Sequence, residues 1–187
     1  MIMIPIQKKP TRVWFLSRGC RLCPIEMTGG KILWANGKDG FFLSAYGNKI
    51  KPAHSPVSRK KGSKANNGKR GLYHPFMRDY GNKLAHRLMF ATYADEPCPI
   101  YLDSKGQPYK GIVHHVIENP YDIRMDNLMG WLTFNQHHIA DKRRRVLEQT
   151  LPDMYCVQTS YLKRLQDPRL TSDEDFAQEI ERLKRRY

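Results

Sequence analysis

Residues 113 to 142 read VHHVIENPYDIRMDNLMGWLTFNQHHIADK, and this stretch carries the most informative pattern in the sequence. It contains four of the seven histidines, in the adjacent pairs His114-His115 and His137-His138. A loop rich in Pro, Asp and Asn (residues 118 to 127) separates the pairs and leads into Leu128 to Thr133, an apolar segment typical of a strand. The residues that follow have helical spacing. The sequence therefore predicts a strand, a loop, a second strand and a helix, in that order.

This order can bring histidines from both pairs together. Thr133 is the predicted N-cap of the helix, because its hydroxyl can accept a hydrogen bond from a backbone N–H of the first turn. A hairpin packed on the helix would place His114 and His115, at the end of the first strand, near that turn. Two neutral imidazoles can hold a divalent metal ion, and a third, with a pKa of about 6.5, can take a proton from water. These groups are the ones that a metal-dependent hydrolase needs.

Short motifs in this stretch resemble the nuclease core of the HNH endonuclease family, the ββα-metal fold, and most of all its phage homing-endonuclease branch. They are Val113-His114-His115, Arg124-Met125-Asp126-Asn127-Leu128, Trp131-Leu132-Thr133 and His137. The resemblance implies that His114 and His137 are metal ligands and that His115 is the general base. It also implies that Asn127 positions the base.

The stretch departs from the family pattern in three ways. His114 stands where the branch often has Asp, which would make the metal site less anionic. An extra residue in Met129-Gly130 lengthens the second strand, as a β-bulge would, and leaves the choice between His137 and His138 open. Consecutive helix positions point about 100° apart, so both cannot face one ion. Residues 116 to 118 replace acidic and glycine residues that often follow the base.

Charge is unevenly distributed along the 187 residues, whose formal total is +14. Residues 1 to 80 contain 16 Lys/Arg and 3 Asp/Glu, residues 81 to 150 contain 9 and 8, and residues 151 to 187 contain 7 and 7. A basic region this concentrated favours a polyanionic partner, of which nucleic acid is the commonest. A basic surface that only aids solubility is the alternative.

The sequence predicts an α+β chain with three regions. They are a basic β-rich DNA-binding region (1 to 80), a ββα-metal (HNH) nuclease core with a preceding helix (81 to 150) and a C-terminal helical extension (151 to 187). Predicted strands in the first region are Val13 to Leu16, Lys31 to Trp34, Phe41 to Ser44, Lys49 to Lys51 and Leu72 to Tyr80, with turns at Asn36-Gly37, Gly47-Asn48 and Gly81-Asn82. Residues 46 to 51 resemble a short DNA-binding module found ahead of the nuclease in many phage homing endonucleases.

Helices are predicted at Lys83 to Tyr93, Tyr155 to Gln166 and Asp173 to Arg186, and residues 95 to 111 are predicted to be a Pro/Gly-rich connection. Ser172 or Thr171 would cap the last helix, whose acidic first turn and basic last turn suit the helix dipole. Residues 85 to 90 resemble the His-Arg-Leu motif that precedes the core in the same branch. We interpret His86 within it as a hydrogen-bonded structural residue rather than a catalyst.

Residues 55 to 71 contain six basic residues, no acidic residue and no apolar periodicity. They are predicted to form a flexible arm that follows phosphates or enters a groove, with a solvated loop as the alternative. The residues predicted to contact DNA are these six and four from the core: Arg59, Lys60, Lys61, Lys64, Lys69, Arg70, Arg124, Lys142, Arg143 and Arg144.

Cysteine spacing leaves a structural zinc site open. Cys20 and Cys23 form half of a zinc knuckle, but Cys98 and Cys156 are isolated, so a second pair is missing. Two ordinary thiols are the alternative. The chain has no apolar run of the ~20 residues that a membrane span needs, and Met1 to Ile6 lacks the basic region of a signal peptide. We therefore expect no membrane partner and an intracellular, cytoplasmic location in a bacterial or phage-infected cell.

The function predicted from these residues is metal-dependent hydrolysis of phosphodiester bonds in double-stranded DNA, by nicking or by cutting both strands. The cofactor would be one divalent ion: the resemblance implies Mg²⁺, and Mn²⁺, Zn²⁺ or Ni²⁺ are alternatives because imidazole also suits transition metals. A DNA-binding protein with a vestigial nuclease site is the alternative function. An RNA-binding or RNA-cleaving protein is a further rival, but no aromatic RNP-like motif favours it. The oligomeric state stays open.

Overall fold

The computed structural model of the chain describes residues 9–54, 75–81 and 83–187. They form a mixed α+β structure, as the sequence predicts. The chain divides into two compact units, Met1–Tyr93 and Ala94–Tyr187. The predicted arm, the start of the strand predicted at 72 to 80 and Asn82 of the predicted turn lie outside the described residues.

The described part of the first unit contains two small antiparallel sheets and two α-helices. Its elements are α1 (Arg12–Leu16), β1 (Cys20–Leu22), β2 (Leu33–Asn36), β3 (Phe41–Ser44), β4 (Lys49–Ile50), β5 (Ala53–His54), β6 (Pro75–Met77), β7 (Lys83–Leu84) and α2 (Ala85–Tyr93). The strand order is β1-β2-β3-β4 in one sheet and β5-β6-β7 in the other. The predicted helix that precedes the core therefore belongs to this unit, and His86 is buried on it.

The strand predicted at Val13 to Leu16 is wrong, because these residues form α1. The hydroxyl of Thr11 accepts a hydrogen bond from the backbone N–H of Trp14 (3.3 Å) and so caps the helix. Phe15 is the buried residue of this helix, and its ring stacks on that of Trp34 at 4.5 Å between centroids. A short apolar run fits either a strand or one helical turn. The residue that decides between them, the cap Thr11, lies before the run.

Cys20 and Cys23 are buried in the first unit. Burial raises the pKa of Cys23 to about 12, and burial also raises the pKa of Cys20. Both side chains are therefore protonated thiols near neutral pH in the metal-free protein, and a bound zinc ion would have to displace these protons. Both interpretations of the pair, a structural zinc site and two ordinary thiols, therefore stay predictions.

The second unit, all of which is described, contains two antiparallel hairpins and three α-helices. Its elements are β8 (Ile100–Leu102), β9 (Pro108–Lys110), β10 (Ile112–His115), β11 (Leu128–Leu132), α3 (Phe134–Thr150), α4 (Thr159–Gln166) and α5 (Asp173–Arg186). β8 pairs with β9, and β10 pairs with β11. The order β10, loop, β11, α3 is the predicted one. Across the described ranges, every helix is too short or too polar to cross a membrane.

The β8–β9 hairpin replaces part of the connection predicted at residues 95 to 111. Its turn is closed by Asp103, whose carboxylate accepts hydrogen bonds from the backbone N–H groups of Lys105 and Gln107, both at 2.8 Å. Gly106 supplies the positive φ of 73° that the turn requires. The Pro and Gly residues that favoured a connection thus lie in the turn and at the strand ends.

The β10–β11 hairpin contains a register shift at the extra residue predicted from the sequence. Ile112 pairs with Leu132, but two residues further along β10 the partner of His114 is Met129 rather than Gly130. β11 therefore has one more residue than β10 between these two pairs, which is a β-bulge. The expected bulge is confirmed, and its two residues are Gly130 and Trp131, because Met129 itself pairs with His114.

The predicted helix caps are also confirmed. The hydroxyl of Thr133 accepts a hydrogen bond from the N–H of Gln136, and the Gln136 side chain accepts one from the N–H of Thr133, so that α3 begins with a capping box. Ser172 caps α5 by accepting a hydrogen bond from the N–H of Asp175. Side chains from the residues after β10, from β11, from α3, α4 and α5 and from the α3–α4 connection form the main core: Val116, Ile117, Met129, Leu132, Ala140, Leu147, Leu151, Met154, Leu162, Leu165, Phe176, Ile180 and Leu183.

Arg143 on α3 is buried beside this core, with 4% of its surface exposed. Its guanidinium donates hydrogen bonds to the backbone oxygens of Leu165 (3.1 Å) and Thr171 (2.9 Å) and to the carboxylate of Asp173 (2.7 Å). These acceptors lie on α4, on the following loop and on the first residue of α5. A single side chain therefore ties the C-terminal segment to α3.

We expect Arg143→Ala to lower the free energy of unfolding by about 3 kcal/mol, because two buried carbonyls lose their donor and the removed guanidinium leaves a cavity. Urea unfolding of the full chain, followed by far-UV circular dichroism, would measure the loss. Arg145→Ala is the matched control, since the Arg145 side chain is 68% exposed on the same helix, and it should cost less than about 1 kcal/mol. Equal losses in the two variants would contradict this role of Arg143.

Candidate active site

His114 lies on β10 and is 4% exposed. Its Nε2 is 3.1 Å from Oε1 of Gln166 on α4. Burial lowers the pKa of His114 to about 4, although the hydrogen bond with Gln166 acts in the opposite direction. The ring is therefore neutral at pH 7, and the neutral form is the one that binds a metal ion.

His137 is the histidine of α3 that packs against His114. The two ring centroids are 5.3 Å apart, and the ring planes meet at 78°. Burial also lowers the pKa of His137, against the opposing effect of the Asp141 carboxylate. His138 is exposed. Of the two helix histidines left open by the sequence, the structure thus brings His137 to His114.

His115 follows His114 on the strand, so that its side chain points to the other face. It is half-buried and lies within electrostatic range of the Asp122 carboxyl group. Burial acts to raise the pKa of Asp122, but hydrogen bonds from Arg124 outweigh it and the pKa is lowered overall. Nε and Nη2 of Arg124 lie 2.8 and 2.7 Å from the two carboxylate oxygens. The predicted base therefore has an ionised carboxylate within electrostatic range.

Asn127 closes the loop that follows His115. It is fully buried, and its Oδ1 accepts a hydrogen bond from the N–H of Ile117 at 2.7 Å. Its Nδ2 donates to the backbone oxygens of Ile117 (3.3 Å) and Asp122 (3.0 Å), which engages both amide hydrogens. Asn127 therefore supports the predicted base through the backbone of its loop.

Two residues predicted to contact DNA are structural. Arg144 is buried like Arg143, and its guanidinium donates hydrogen bonds to the carboxylates of Glu118 and Asp141, both at 2.7 Å, and of Glu148. Neither guanidinium is presented to a phosphate, so the predicted DNA contacts of Arg143 and Arg144 are corrected to internal ion pairs. The sequence predicted DNA contacts for Lys142, Arg143 and Arg144 alike, but successive helix residues point in different directions.

Lys142 and Arg124 keep accessible side chains. Lys142 is exposed, and the Arg124 side chain is 42% exposed although it pairs with Asp122. The described part of the first unit holds 11 Lys/Arg and 3 Asp/Glu and is itself basic. The other predicted DNA contacts lie outside the described residues: Arg59, Lys60, Lys61, Lys64, Lys69 and Arg70.

The pair His114 and His137 fits a metal ion only as a partial ligand set. Among residues 9–54, 75–81 and 83–187, no three His, Cys, Asp or Glu side chains are grouped so that they could hold a metal ion. Asp141, one helical turn after His137, pairs instead with Arg144 and Arg145, at 2.7 Å each. Two imidazoles would leave the other coordination positions of an ion to water and phosphate, and Mg²⁺ is often bound with such ligands. The imidazole nitrogens themselves favour transition metals.

Sequence reasoning missed Asp122 and Gln166. Asp122 lies in the predicted loop beside an arginine, and an Asp in such a loop is commonly a turn residue. Gln166 is 52 positions from His114 along the chain. A buried amide so far away leaves no local signal, and only the packing of α4 reveals its contact with His114.

No known protein family, curated protein or solved structure matches this chain. The likeness of residues 113 to 142 to the HNH nuclease core accordingly remains a resemblance between short motifs. Function is therefore inferred from the chemistry and geometry of the site.

We expect the free energy of unfolding to fall as the pH is lowered from about 6.5 to about 4, because the unfolded chain protonates His114 in this range while the folded chain resists protonation until about pH 4. The loss at pH 4 should be on the order of 3 kcal/mol. Urea unfolding at a series of pH values would measure it. His114→Gln, which retains His137, should lose correspondingly less over the same range, and parallel curves for the two proteins would refute this assignment.

Proposed function

We propose that this protein is a metal-dependent DNA endonuclease that hydrolyses phosphodiester bonds in double-stranded DNA at an HNH-type ββα site. The observation that carries the proposal is the contact between two neutral imidazoles, His114 and His137, with a third imidazole, His115, on the next residue of the same strand. The hairpin and the helix that hold these residues lend further support, because the order strand, strand, helix is the one that the resemblance implies.

His114 and His137 would hold one divalent ion. Such an ion supplies Lewis-acid stabilisation of the charge that develops at the phosphate and on the leaving 3′ oxygen. The ligand role of His114 requires a neutral ring, and burial keeps this ring neutral down to a pKa of about 4. The resemblance implies Mg²⁺, and the nitrogen donors make Mn²⁺, Zn²⁺ and Ni²⁺ alternatives.

His115 would act as the general base and accept a proton from the attacking water on a ring nitrogen. The imidazolium that forms would be stabilised by the ionised carboxylate of Asp122, which Arg124 holds. Asn127 would keep the loop after His115 closed through its hydrogen bonds to Ile117 and Asp122. The base would thus be positioned without a direct contact from Asn127 to the ring.

Binding of double-stranded DNA is supported by charge. The excess of Lys/Arg over Asp/Glu in the described part of the first unit would attract phosphates and release counterions. On the second unit, exposed Lys142 and partly exposed Arg124 are available for the same role. These contacts would fix the position of the duplex without reading its sequence.

A DNA-binding protein that does not cleave is the second candidate function. The observation that favours it is the incomplete ligand set in the described residues, in which Asp141 pairs with two arginines rather than joining the histidines. The basic first unit would serve either function. Cleavage distinguishes them.

We expect the purified chain to nick or linearise supercoiled plasmid in the presence of a divalent ion. His115→Ala should reduce the rate by about 100-fold or more, because a positioned general base contributes roughly that factor. The assay would compare EDTA, Mg²⁺, Mn²⁺, Zn²⁺ and Ni²⁺ in parallel. His138→Ala is the matched control and should cleave like the wild type, because His138 is exposed and lies outside the proposed site.

Two results would contradict the proposal. Full cleavage by His115→Ala would show that His115 is not the base. A wild-type chain that shifts DNA in a gel but does not cut it with any of the four ions would favour the non-cleaving alternative. Circular dichroism of each variant would establish that a lost activity does not reflect a lost fold.

A further inference from the structure

Gln166 is the last residue of α4, and its side chain is fully buried against β10. Its Oε1 lies 3.1 Å from Nε2 of His114, and its own Nε2 donates a hydrogen bond to the backbone oxygen of Val116 at 2.9 Å. The amide therefore bridges the proposed metal ligand and the backbone just after its strand.

The bond to Val116 determines which group donates and which accepts in the bond to His114. A backbone carbonyl can only accept, so the nitrogen of Gln166 must face Val116 and its oxygen must face His114. An amide oxygen can also only accept, so Nε2 of His114 must carry the hydrogen. A neutral imidazole has one N–H, and Nδ1 of His114 is therefore the nitrogen that keeps its lone pair.

The end of α4 is held independently of His114. The Arg143 guanidinium donates to the oxygen of Leu165, the hydroxyl of Thr171 donates to the oxygen of Arg164 at 2.8 Å, and the N–H of Asp167 bonds to the oxygen of Lys163 at 3.0 Å. The residues on both sides of Gln166 are thus fixed by contacts that do not involve the histidine. The amide is in place before any ligand arrives.

We propose that Gln166 is a positioning residue that locks His114 in the Nε2–H tautomer and so makes Nδ1 the nitrogen available to a metal ion. The lock itself is a property of the free protein, whereas its use for metal binding rests on the proposed function. A ligating histidine usually donates its other N–H to an oxygen acceptor, which fixes the ring and the tautomer. A neutral amide does this without adding a negative charge beside the ring.

The tautomer can be read directly by NMR of the metal-free full chain labelled with ¹⁵N in its histidines, at a pH near 7.5. We expect the wild type to show His114 protonated on Nε2 and unprotonated on Nδ1. Gln166→Met removes the acceptor at similar size and should give averaged shifts of two exchanging tautomers. Gln166→Glu restores an oxygen acceptor and should restore the Nε2–H form.

Gln178→Met is the matched control, because Gln178 is exposed on α5, and its His114 signals should equal those of the wild type. Amide spectra of all variants would show that each remains folded. A wild-type His114 protonated on Nδ1, or a Gln166→Met variant whose tautomer is unchanged, would overturn the proposal.

Titration of the same samples with Zn²⁺ alone separates this inference from the proposed function. We expect Zn²⁺ to shift Nδ1 of His114 in the wild type and to bind Gln166→Met about 10- to 100-fold more weakly. If Gln166→Met changes the tautomer but both proteins bind Zn²⁺ equally well, the lock does not contribute to metal binding. If Zn²⁺ shifts no NMR signal of His114 or His137 in the wild type, the proposed metal site is wrong. The tautomer lock is then judged from the metal-free spectra alone.

Discussion

A buried guanidinium group needs hydrogen-bond acceptors, and the second unit is arranged around two buried arginine side chains. Removing such a charge from water costs several kcal/mol unless it is paired. Arg143 and Arg144 are consecutive on α3 and point in different directions. Arg143 donates hydrogen bonds to the backbone of α4 and to the start of α5, and Arg144 donates one to Glu118 in the loop after β10. The terminal nitrogens of the two guanidinium groups therefore have all of these acceptors only when the hairpin and the C-terminal helices are both in place. Residues 151 to 187 complete the site-bearing unit and are not an appendage to it.

The same packing sets the electrostatics of the site. Burial lowers the pKa of His114 and of His137, and the nearby positive charge of Arg144 acts in the same direction. The Asp141 carboxylate acts in the opposite direction, but it is paired with Arg144 and Arg145. An arginine that stabilises the fold thus also favours two neutral imidazoles. Gln166 fits this pattern, because it offers His114 an acceptor that carries no charge.

Local signals predicted the parts of the fold that depend on neighbours in sequence. The cap at Thr133 and the bounds of the last helix each follow from residue types a few positions apart, and the structure contains both. The bulge in β11 follows instead from the extra residue relative to the family pattern. The approach of a helix histidine to His114 followed from the order of these elements. What could not be predicted depends on contacts distant in sequence. A basic run is normally solvated, so the burial of Arg143 became visible only with α4 and α5 packed beside it, and the contact of Gln166 with His114 is of the same kind.

Charge divides the chain in a way that bears on the proposed reaction. Residues 94 to 187 contain 14 Lys/Arg and 15 Asp/Glu, and two of these arginines are buried in ion pairs. This unit therefore has almost no net attraction for a polyanion, although the proposed site lies on it. If the protein cleaves DNA, most of the salt-dependent affinity must come from residues 1 to 93, which contain 18 Lys/Arg and 3 Asp/Glu. Selection of the cleavage position would then depend on where the first unit binds, because the site-bearing unit alone would hold a duplex only weakly.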